Sequence, residues 1–308
     1  MHVHAHNPNT GRKLQFSLWV TVAFIFIEFA AGIKAHSLAL LSDAGHNFTD
    51  ALALGLAWFA FVIQCKPPSQ TKTFGYHRAG VLAAFINALS LVLLAVFIFY
   101  ESYLRFLSPR DVQENIMIMV AGAGLVVNVA VMWALHADSR HDINIRGAFM
   151  HMLGDAVSSV GIIVGGFVIA YTGMQWIDPL LSVIIGVLIL WSGWGIIHES
   201  LNILLEGLPR GMKLDAVCGA LREIDGVIEV HDLHIWSLSS SSHALSCHTV
   251  IRDLPPSASD VILREMNQVL AERFHIDHTT VQFEHITCEH AEEICSAHRQ
   301  QAVAEHHR

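Results

Sequence analysis

Six long apolar runs dominate the first part of this chain of 308 residues. Each run is about 20 residues long, the length that an α-helix needs to cross the hydrocarbon core of a bilayer. Charged residues make up only 15% of the chain and its mean hydropathy is +0.46, whereas soluble domains carry charge on about a quarter of their residues. We therefore predict an α-helical membrane domain over residues 14–208. Its six spans are Leu14–Ile33, Leu38–Ile63, Val81–Tyr100, Ile116–His136, Gly147–Tyr171 and Pro179–Ile197.

Positive charges near these spans are unevenly distributed between the two sides of the membrane. The side without the termini carries Lys34, Arg105 and Arg110. The side that holds both termini carries Arg12, Lys13, Lys66, Lys72, Arg78, Arg140, Arg146, Arg210 and Lys213. Because cytoplasmic loops are enriched in Lys and Arg, this asymmetry predicts that both termini are cytoplasmic. The short loops suit a bacterial inner membrane, with the membrane of a eukaryotic vesicle as the alternative, and no basic surface of the kind that binds nucleic acid is evident.

After Pro209 the apolar runs give way to the mixed pattern of a soluble domain. Helical and alternating segments predict the order α-β-β-α-β over residues 209–286. The predicted elements are Leu214–Ile224, Val227–Leu238, Ala244–Ile251, Ala258–Phe274 and Thr280–His285. This order is typical of a small α+β domain with helices on one face of an antiparallel sheet.

Polar tails flank the two predicted domains. Residues 1–13 contain histidines, and residues 287–308 contain histidines together with Cys288 and Cys295. The chain has 21 histidines and 5 cysteines. The cysteines are few and odd in number, so a disulfide framework is not expected. Histidine-rich tails predict either capture of metal ions or simple solvated ends.

Two His-x-x-x-Asp sequences lie inside predicted spans. His46 and Asp50 are in the second span, and His151 and Asp155 are in the fifth. Residues i and i+4 share one face of a helix, so two such faces brought together present two imidazoles and two carboxylates. That set suits tetrahedral Zn²⁺, whereas Mg²⁺ and Ca²⁺ prefer all-oxygen shells and Cu(I) prefers sulfur. Ionisable groups at membrane depth are usually functional, which favours a metal site over two pairs that only stabilise helix packing.

The same four residues predict competition between metal and protons. Bare carboxylates in a low dielectric favour protonation of at least one acid, and a metal must displace such protons to bind. This is the minimum requirement for exchange of Zn²⁺ against one or two protons, with the site open to each side in turn. Glu28 in the first span is a further candidate proton carrier. Asp43, shortly before His46, is predicted to act either as an ion guide or as a helix cap.

Four motifs carry a resemblance that covers nearly the whole chain. They are Ser37-Leu38-Ala39-Leu40-Leu41-Ser42-Asp43-Ala44-Gly45-His46, Phe74-Gly75-Tyr76-His77-Arg78, Asp178-Pro179, and Val230-His231-Asp232-Leu233-His234-Ile235-Trp236. Together they resemble the cation diffusion facilitator family. The resemblance implies a homodimer of six-helix subunits, each with a cytoplasmic domain of the ferredoxin-like, copper-chaperone type. In that family a histidine at position 46 goes with zinc, sometimes with cadmium or cobalt, so the resemblance implies Zn²⁺ export from the cytoplasm.

The resemblance also implies a regulatory metal site in the C-terminal domain. By position, His231 or His234 matches this site together with His248 and Glu284, and Cys288 and Cys295 would add sulfur ligands from the tail. His231 and His234 are an odd number of residues apart, so a regular strand directs them to opposite faces. Since Trp236 shares the face of His234, the sequence favours His234 as the ligand.

Two other classes of function agree less well with the sequence. A catalytic zinc usually keeps three protein ligands and an open position, and neither a HExxH motif nor a nearby general base accompanies the four intramembrane residues. A membrane-anchored metal sensor would not need six spans with polar residues inside them. The absence of a phosphate-binding loop argues against an ATP-driven pump. The sequence therefore predicts a transporter, rather than an enzyme, with Zn²⁺ as its substrate and protons as its counter-ion.

Overall fold

A computed structural model describes residues 8–136, 143–239 and 242–285 of the chain. Six long helices come first: α1 (Pro8–Ala35), α2 (Leu38–Gln64), α3 (Ala79–Leu107), α4 (Glu114–Leu135), α5 (Ile143–Thr172) and α6 (Ile177–Leu204). Two shorter helices and three strands follow: α7 (Leu214–Arg222), β1 (Val227–Ser237), β2 (His243–Ile251), α8 (Pro256–Phe274) and β3 (Ile276–Glu284).

Among the described residues, five helices are long and apolar enough to cross a membrane, namely α2 to α6. Large apolar side chains on these helices are exposed instead of facing a core, including Phe61, Phe97, Trp133, Tyr171 and Trp191. A soluble protein rarely exposes contiguous apolar surface of this extent, whereas lipid is its natural environment. The helices therefore form a membrane domain, and the protein is an integral, multi-pass membrane protein.

The chain divides into two compact units, residues 1–56 with 86–195 and residues 57–85 with 196–308. In the first unit, buried apolar side chains of several helices form one core, including Leu40, Ile98, Met117 and Ile162. Helix α4 packs against α1 and α5. A Cβ atom added at Gly166 would lie 2.6 Å from Ile118 Cγ1, so glycine allows the close approach of α5 to α4.

A buried polar network fixes the first turn of α2. The Asp178 carboxylate, which is fully buried, accepts hydrogen bonds from the Ser37 hydroxyl at 2.6 Å and from the backbone N–H of Leu38 at 2.7 Å. It also accepts one from the Ala39 N–H at 3.2 Å and one from Arg105 Nη1 at 3.3 Å. The first N–H groups of any helix lack intrahelical partners, so Asp178 of α6 supplies the acceptors that the start of α2 needs.

The C-terminal domain, described at residues 209–239 and 242–285, has its core between the two short helices and one face of the sheet. Val217 and Leu221 of α7 and Met266 of α8 are buried against Leu233 and Leu245 of the strands. Gly226 makes the turn into β1 with φ of +94°, a conformation that glycine adopts readily. His275 closes α8 with a left-handed φ of +56°. β3 consequently begins at Ile276, before the predicted start at Thr280.

The sheet differs from the antiparallel sheet that the sequence predicts. Its strand order is β1-β2-β3, β1 pairs with β2 antiparallel, and β2 pairs with β3 in parallel. The reason is the connection through α8, because a crossover helix returns the chain to the end of the sheet where β2 began. The three described strands therefore form a mixed sheet, so the prediction of an antiparallel sheet was wrong.

Candidate metal sites

The middle of α2 and the middle of α5 each carry a histidine and an aspartate. Asp50 and Asp155 are each the thirteenth residue of their helix, counted from Leu38 and Ile143. His46 and His151 lie one turn earlier, on the same face as their aspartates. We call His46, Asp50, His151 and Asp155 the intramembrane cluster.

The structure brings these four side chains together as a chain of contacts. His46 Nε2 lies 3.6 Å from Asp50 Oδ2, and His151 Nε2 lies 3.5 Å from the same oxygen. His151 Nε2 is also 3.6 Å from Asp155 Oδ2. Ligands of a tetrahedral Zn²⁺ with bonds of about 2.0–2.1 Å lie about 3.4 Å from one another. The separations therefore match those of neighbouring ligands on one ion, and they are long for direct hydrogen bonds.

Two buried atoms of the intramembrane cluster lack hydrogen-bond partners among the described residues. They are His46 Nδ1 and Asp50 Oδ2. Such atoms destabilise a structure unless water or an ion satisfies them, so Asp50 Oδ2, between two imidazoles, is suited to a cation. The Asp155 side chain is 7% exposed and that of His151 is 41% exposed. The cluster thus combines a buried ligand with an accessible one, which allows an ion to be bound and exchanged.

A second group of ligands lies on the three strands of the C-terminal domain. His231 of β1 is paired with His248 of β2, and Glu284 of β3 is paired with Val250 of β2. His248 Nδ1 lies 2.9 Å from Glu284 Oε1, and His231 Nε2 lies 3.2 Å from Glu284 Oε2. One ligand atom from each residue lies within 4.8 Å of the other two. We call His231, His248 and Glu284 the sheet cluster.

The sheet cluster has the chemistry of a zinc site. Both ring nitrogens of His231 and Glu284 Oε2 are buried and make no hydrogen bond of good geometry in the described part of the chain, although His231 Nε2 and Glu284 Oε2 are 3.2 Å apart. Two imidazoles and one carboxylate are a common ligand set for Zn²⁺, and three protein ligands leave one coordination position open. The residues present therefore fit a bound zinc ion.

His234 stands apart from the sheet cluster. Its Nε2 lies 3.0 Å from Asp232 Oδ1, and its side chain is 49% exposed. Strand β1 is irregular here, because the pairing shifts between His231 and His234 and Asp232 has φ of +50°. His231 pairs with His248 and His234 with Ser246, so the bulge directs both histidines to the same face. The geometry groups His231, rather than His234, with the other two ligands.

Asp232 is a residue that the sequence analysis did not single out. Its Oδ2 lies 3.7 Å from His248 Nε2, and its Oδ1 contacts His234. Asp232 therefore connects the sheet cluster to His234. The sequence His231-Asp232-Leu233-His234 could have pointed to this residue. It holds three possible metal ligands within four residues, which a buried strand does not otherwise need.

The described cysteines are not placed as metal ligands. Cys218 and Cys247 are buried in the core of the C-terminal domain, and Cys65 is exposed. Burial raises the pKa of the Cys247 thiol to about 11, so it is protonated at neutral pH and unsuited to metal binding. Cys288 and Cys295 lie outside the described residues, as do the histidines of both tails.

These features define a class: a multi-pass helical membrane protein with metal-type ligands within its membrane helices and a second set in an α+β domain. The chain matches the cation efflux transmembrane domain at residues 14–205 and the cytoplasmic domain of cation efflux proteins at residues 209–286. It therefore belongs to the cation efflux family, which confirms the family resemblance found in the sequence.

Three relatives illustrate the extent of the similarity. The cation efflux system protein CzcD of Alcaligenes sp. (strain CT14) is 39% identical over 291 residues, covering 94% of this chain and 92% of the relative. The cadmium, cobalt and zinc/H(+)-K(+) antiporter of Bacillus subtilis (strain 168) is 38% identical over 308 residues, covering 99% of each chain. The zinc transporter ZitB of Escherichia coli (strain K12) is 36% identical over 291 residues, covering 93% and 92%. The similarity thus extends through both domains.

Proposed function

We propose that this protein exports Zn²⁺ from the cytoplasm in exchange for protons, with Cd²⁺ or Co²⁺ as further substrates. The observation that carries this proposal is the meeting of two imidazoles and two carboxylates in the middle of two membrane helices, at separations suited to one tetrahedral ion. The names of the relatives, which include zinc, cadmium and cobalt efflux and a proton antiporter, support it.

Asp50 has the central role in the proposed cycle, because one of its oxygens contacts both histidines. On the cytoplasmic side the cluster loses protons when Zn²⁺ binds, since only neutral imidazole and ionised carboxylate are ligands. On the other side, protons return to the same atoms and displace the ion. Helix rocking that exposes the cluster to each side in turn gives alternating access.

The proposal includes an architecture. Helix α1 has 28 residues, about 42 Å at 1.5 Å per residue, and serves as the sixth span. Six spans place both termini in the cytoplasm, in agreement with the distribution of positive charge, and a bacterial inner membrane suits the short loops. The subunit forms a homodimer with domains at residues 14–208 and 209–286, and residues 1–13 and 287–308 are tails. With two helices on one face of its sheet, the second domain is an abbreviated ferredoxin-like fold.

The sheet cluster is proposed as a regulatory zinc site of the cytoplasmic domain. Each of its ligands comes from a different strand, so a bound ion would connect β1, β2 and β3 and make the sheet more rigid. Cys288 or Cys295 of the tail would fill the open coordination position. Metal binding would then report the cytoplasmic zinc concentration to the transporter.

Zinc flux into liposomes with an imposed pH gradient tests the transport proposal. We expect flux that follows the gradient in the parent protein and none in Asp155→Ala, provided that size-exclusion chromatography shows the variant to be folded. Asp111→Asn is the matched control, because it removes an exposed carboxylate that precedes α4. Normal transport by Asp155→Ala would mean that the metal binds elsewhere. A parent protein that ignores the gradient would remove the proton coupling and restore the sensor hypothesis.

A further inference from the structure

Two buried acids outside the intramembrane cluster lie beside it. Glu28 of α1 is 1% exposed and Asp43 of α2 is 3% exposed. Asp43 lies three residues before His46 on α2. No lysine or arginine of the described residues forms an ion pair with either acid, so neither carboxylate has a compensating positive charge of that kind.

The two acids are connected to each other and to both helices of the intramembrane cluster. The Glu28 and Asp43 carboxyl groups lie next to each other, within reach of a shared proton. Glu28 Oε2 accepts a hydrogen bond from Asn47 Nδ2 at 3.4 Å, and Asp43 Oδ1 accepts one from the Ser158 hydroxyl at 2.6 Å. Asn47 follows His46 on α2, and Ser158 lies three residues after Asp155 on α5. The pair, which lies on α1 and α2, therefore contacts both helices of the cluster within about one turn of its residues.

A hydrogen bond between two carboxyl groups requires a proton on one of them, since two carboxylates offer only acceptors. Burial without a compensating cation also favours protonation of one acid, because two adjacent negative charges in a low dielectric repel each other. The titratable groups that act on the pair from α2 and α5 are His46 and Asp155. Helix α4, which packs against α1, carries only Glu114 at its first residue. Burial and mutual repulsion therefore both favour one proton shared between the two acids.

We infer that Glu28 and Asp43 form a separate proton-carrying site, which releases its proton when Zn²⁺ binds to the intramembrane cluster. This inference rests on the proposed function. When the ion arrives, its positive charge favours the ionised form of nearby acids. The O–H bond of the shared carboxyl breaks, the proton passes to water, and the second carboxylate partly balances the charge of Zn²⁺. The reverse step, protonation of the pair, then favours release of the ion.

This assignment separates two sources of coupled protons. If protons compete only for the ligands, the number released per zinc depends on the four cluster residues alone. If the pair contributes, one released proton belongs to residues that do not touch the metal. Glu28→Gln removes that proton and retains an oxygen acceptor for Asn47, so the variant changes the coupling while preserving the packing.

The experiment measures zinc affinity of the full-length protein in detergent as a function of pH, in a His231→Ala background that weakens the sheet cluster, with Glu28→Gln and Asp43→Asn compared with that parent. Because zinc binding releases protons, log Kd decreases as pH rises; we expect the magnitude of this slope to be smaller by about one in each variant, because one linked proton is lost. Glu28→Asp, which keeps an ionisable group, should restore the slope. Glu114→Gln, the control at the start of α4, should leave it unchanged.

An unchanged slope in Glu28→Gln and Asp43→Asn would overturn the assignment and return all coupled protons to the ligands. The assignment would also be overturned if the slope of log Kd against pH changed only when K⁺ in the buffer was replaced by choline. The pair would then bind K⁺ instead of a proton. A parent protein whose zinc affinity does not depend on pH would contradict the proposed function itself. These outcomes differ, so failure of the inference and failure of the proposed function are distinguishable.

Discussion

The intramembrane cluster and the sheet cluster use the same kinds of ligand, but the structure organises them differently. In the sheet cluster, ligand atoms of all three residues lie within 4.8 Å of one another, and no other group of described His, Cys, Asp or Glu residues is as compact. In the intramembrane cluster the contacts run as a chain through Asp50 Oδ2. The ligands of the sheet cluster are therefore already close together in a nearly closed arrangement, whereas those of the intramembrane cluster form an open arrangement.

The elements that carry the ligands explain this difference. Paired strands are held at a fixed spacing by backbone hydrogen bonds, so three strands keep their ligands in place with or without an ion. Two membrane helices make no backbone hydrogen bonds to each other, so they can shift relative to one another. A transport site must bind an ion and then release it, whereas a regulatory site needs only to fill and empty with concentration. The open arrangement is therefore suited to transport and the compact one to sensing.

The largest expected effect concerns the buried hydrogen bonds of Asp178 to the start of α2, the helix that carries His46 and Asp50. We expect Asp178→Asn to lower the free energy of unfolding by about 3–5 kcal/mol, because a buried Arg105 loses the more deeply buried of its two charged partners. Thermal and denaturant unfolding in detergent would measure the loss. Glu101→Gln is the matched control, since Glu101 also pairs with Arg105, at 3.3 Å, but is less buried. Equal stability of the two variants would show that Asp178 does not hold the start of α2.

A second prediction separates the two clusters by function. We expect Asp50→Asn to reduce initial zinc flux at least about 100-fold, since even changes to residues that support a metal ligand lower activity by 10–100-fold. Glu284→Gln should change saturated flux by less than about threefold, because a regulatory ion does not travel. Flux into liposomes under one pH gradient compares them directly. If Glu284→Gln were as damaging as Asp50→Asn, the distinction between an open transport site and a compact regulatory site would fail.

A third prediction decides between the two histidines of β1. In an Asp50→Asn background, which removes the transport site, we expect His231→Ala to weaken zinc binding by about 10–100-fold. His234→Ala should change it by less than about threefold, since His234 is half-exposed and contacts Asp232 instead of the cluster. Zinc titration against a competing chelator measures both. A larger loss in His234→Ala would mean that the ion binds at the Asp232 side of His248.

The sequence was informative wherever local periodicity decides the structure. Each of the six predicted spans lies, to within a residue, in one long helix, and five of these helices are long and apolar enough to cross a membrane, because about 20 apolar residues have few other stable forms in a bilayer. The His-x-x-x-Asp pattern likewise depends only on helix geometry, and the structure brings the two pairs together across α2 and α5. Motifs at helical spacing therefore identified four residues that the structure brings together, and their binding of a metal stays a prediction.

Features that depend on distant pairing were not predictable in the same way. The parallel pairing of β2 with β3 is set by the path of α8, and no local pattern in β3 records it. The bulge at Asp232 places His234 on the opposite face of β1 from the one it would have in a regular strand. The prediction that His231 and His234 point to opposite faces was therefore wrong. The role of Asp178 as the cap of α2 joins residues 140 positions apart. The Asp178-Pro179 motif marked the residue but not its partners.

The smallest expected effect concerns the reactivity of the Cys247 thiol in the C-terminal domain. Because burial raises the pKa of Cys247 to about 11, about one thiol in 1,000 is ionised at pH 8, and alkylation needs the thiolate. At pH 8 we expect Cys65, which is exposed, to be alkylated in the folded protein, and Cys247 to be alkylated only in the unfolded protein. In the folded protein, labelling of Cys247 should keep rising between pH 9 and pH 11, where the thiolate of an ordinary cysteine has already formed.

Quantitative mass spectrometry of the alkylated peptides measures this difference, with Cys65 as the internal reference and denatured protein as the control. Added zinc should leave the labelling of Cys247 unchanged, because the sheet cluster lies on the opposite face of β2, where His248 alternates with the buried Cys247. Protection of Cys247 by zinc would instead place a sulfur ligand in the core. The sheet cluster would then have to rearrange on binding, and the contrast between a fixed site and an open one would no longer hold.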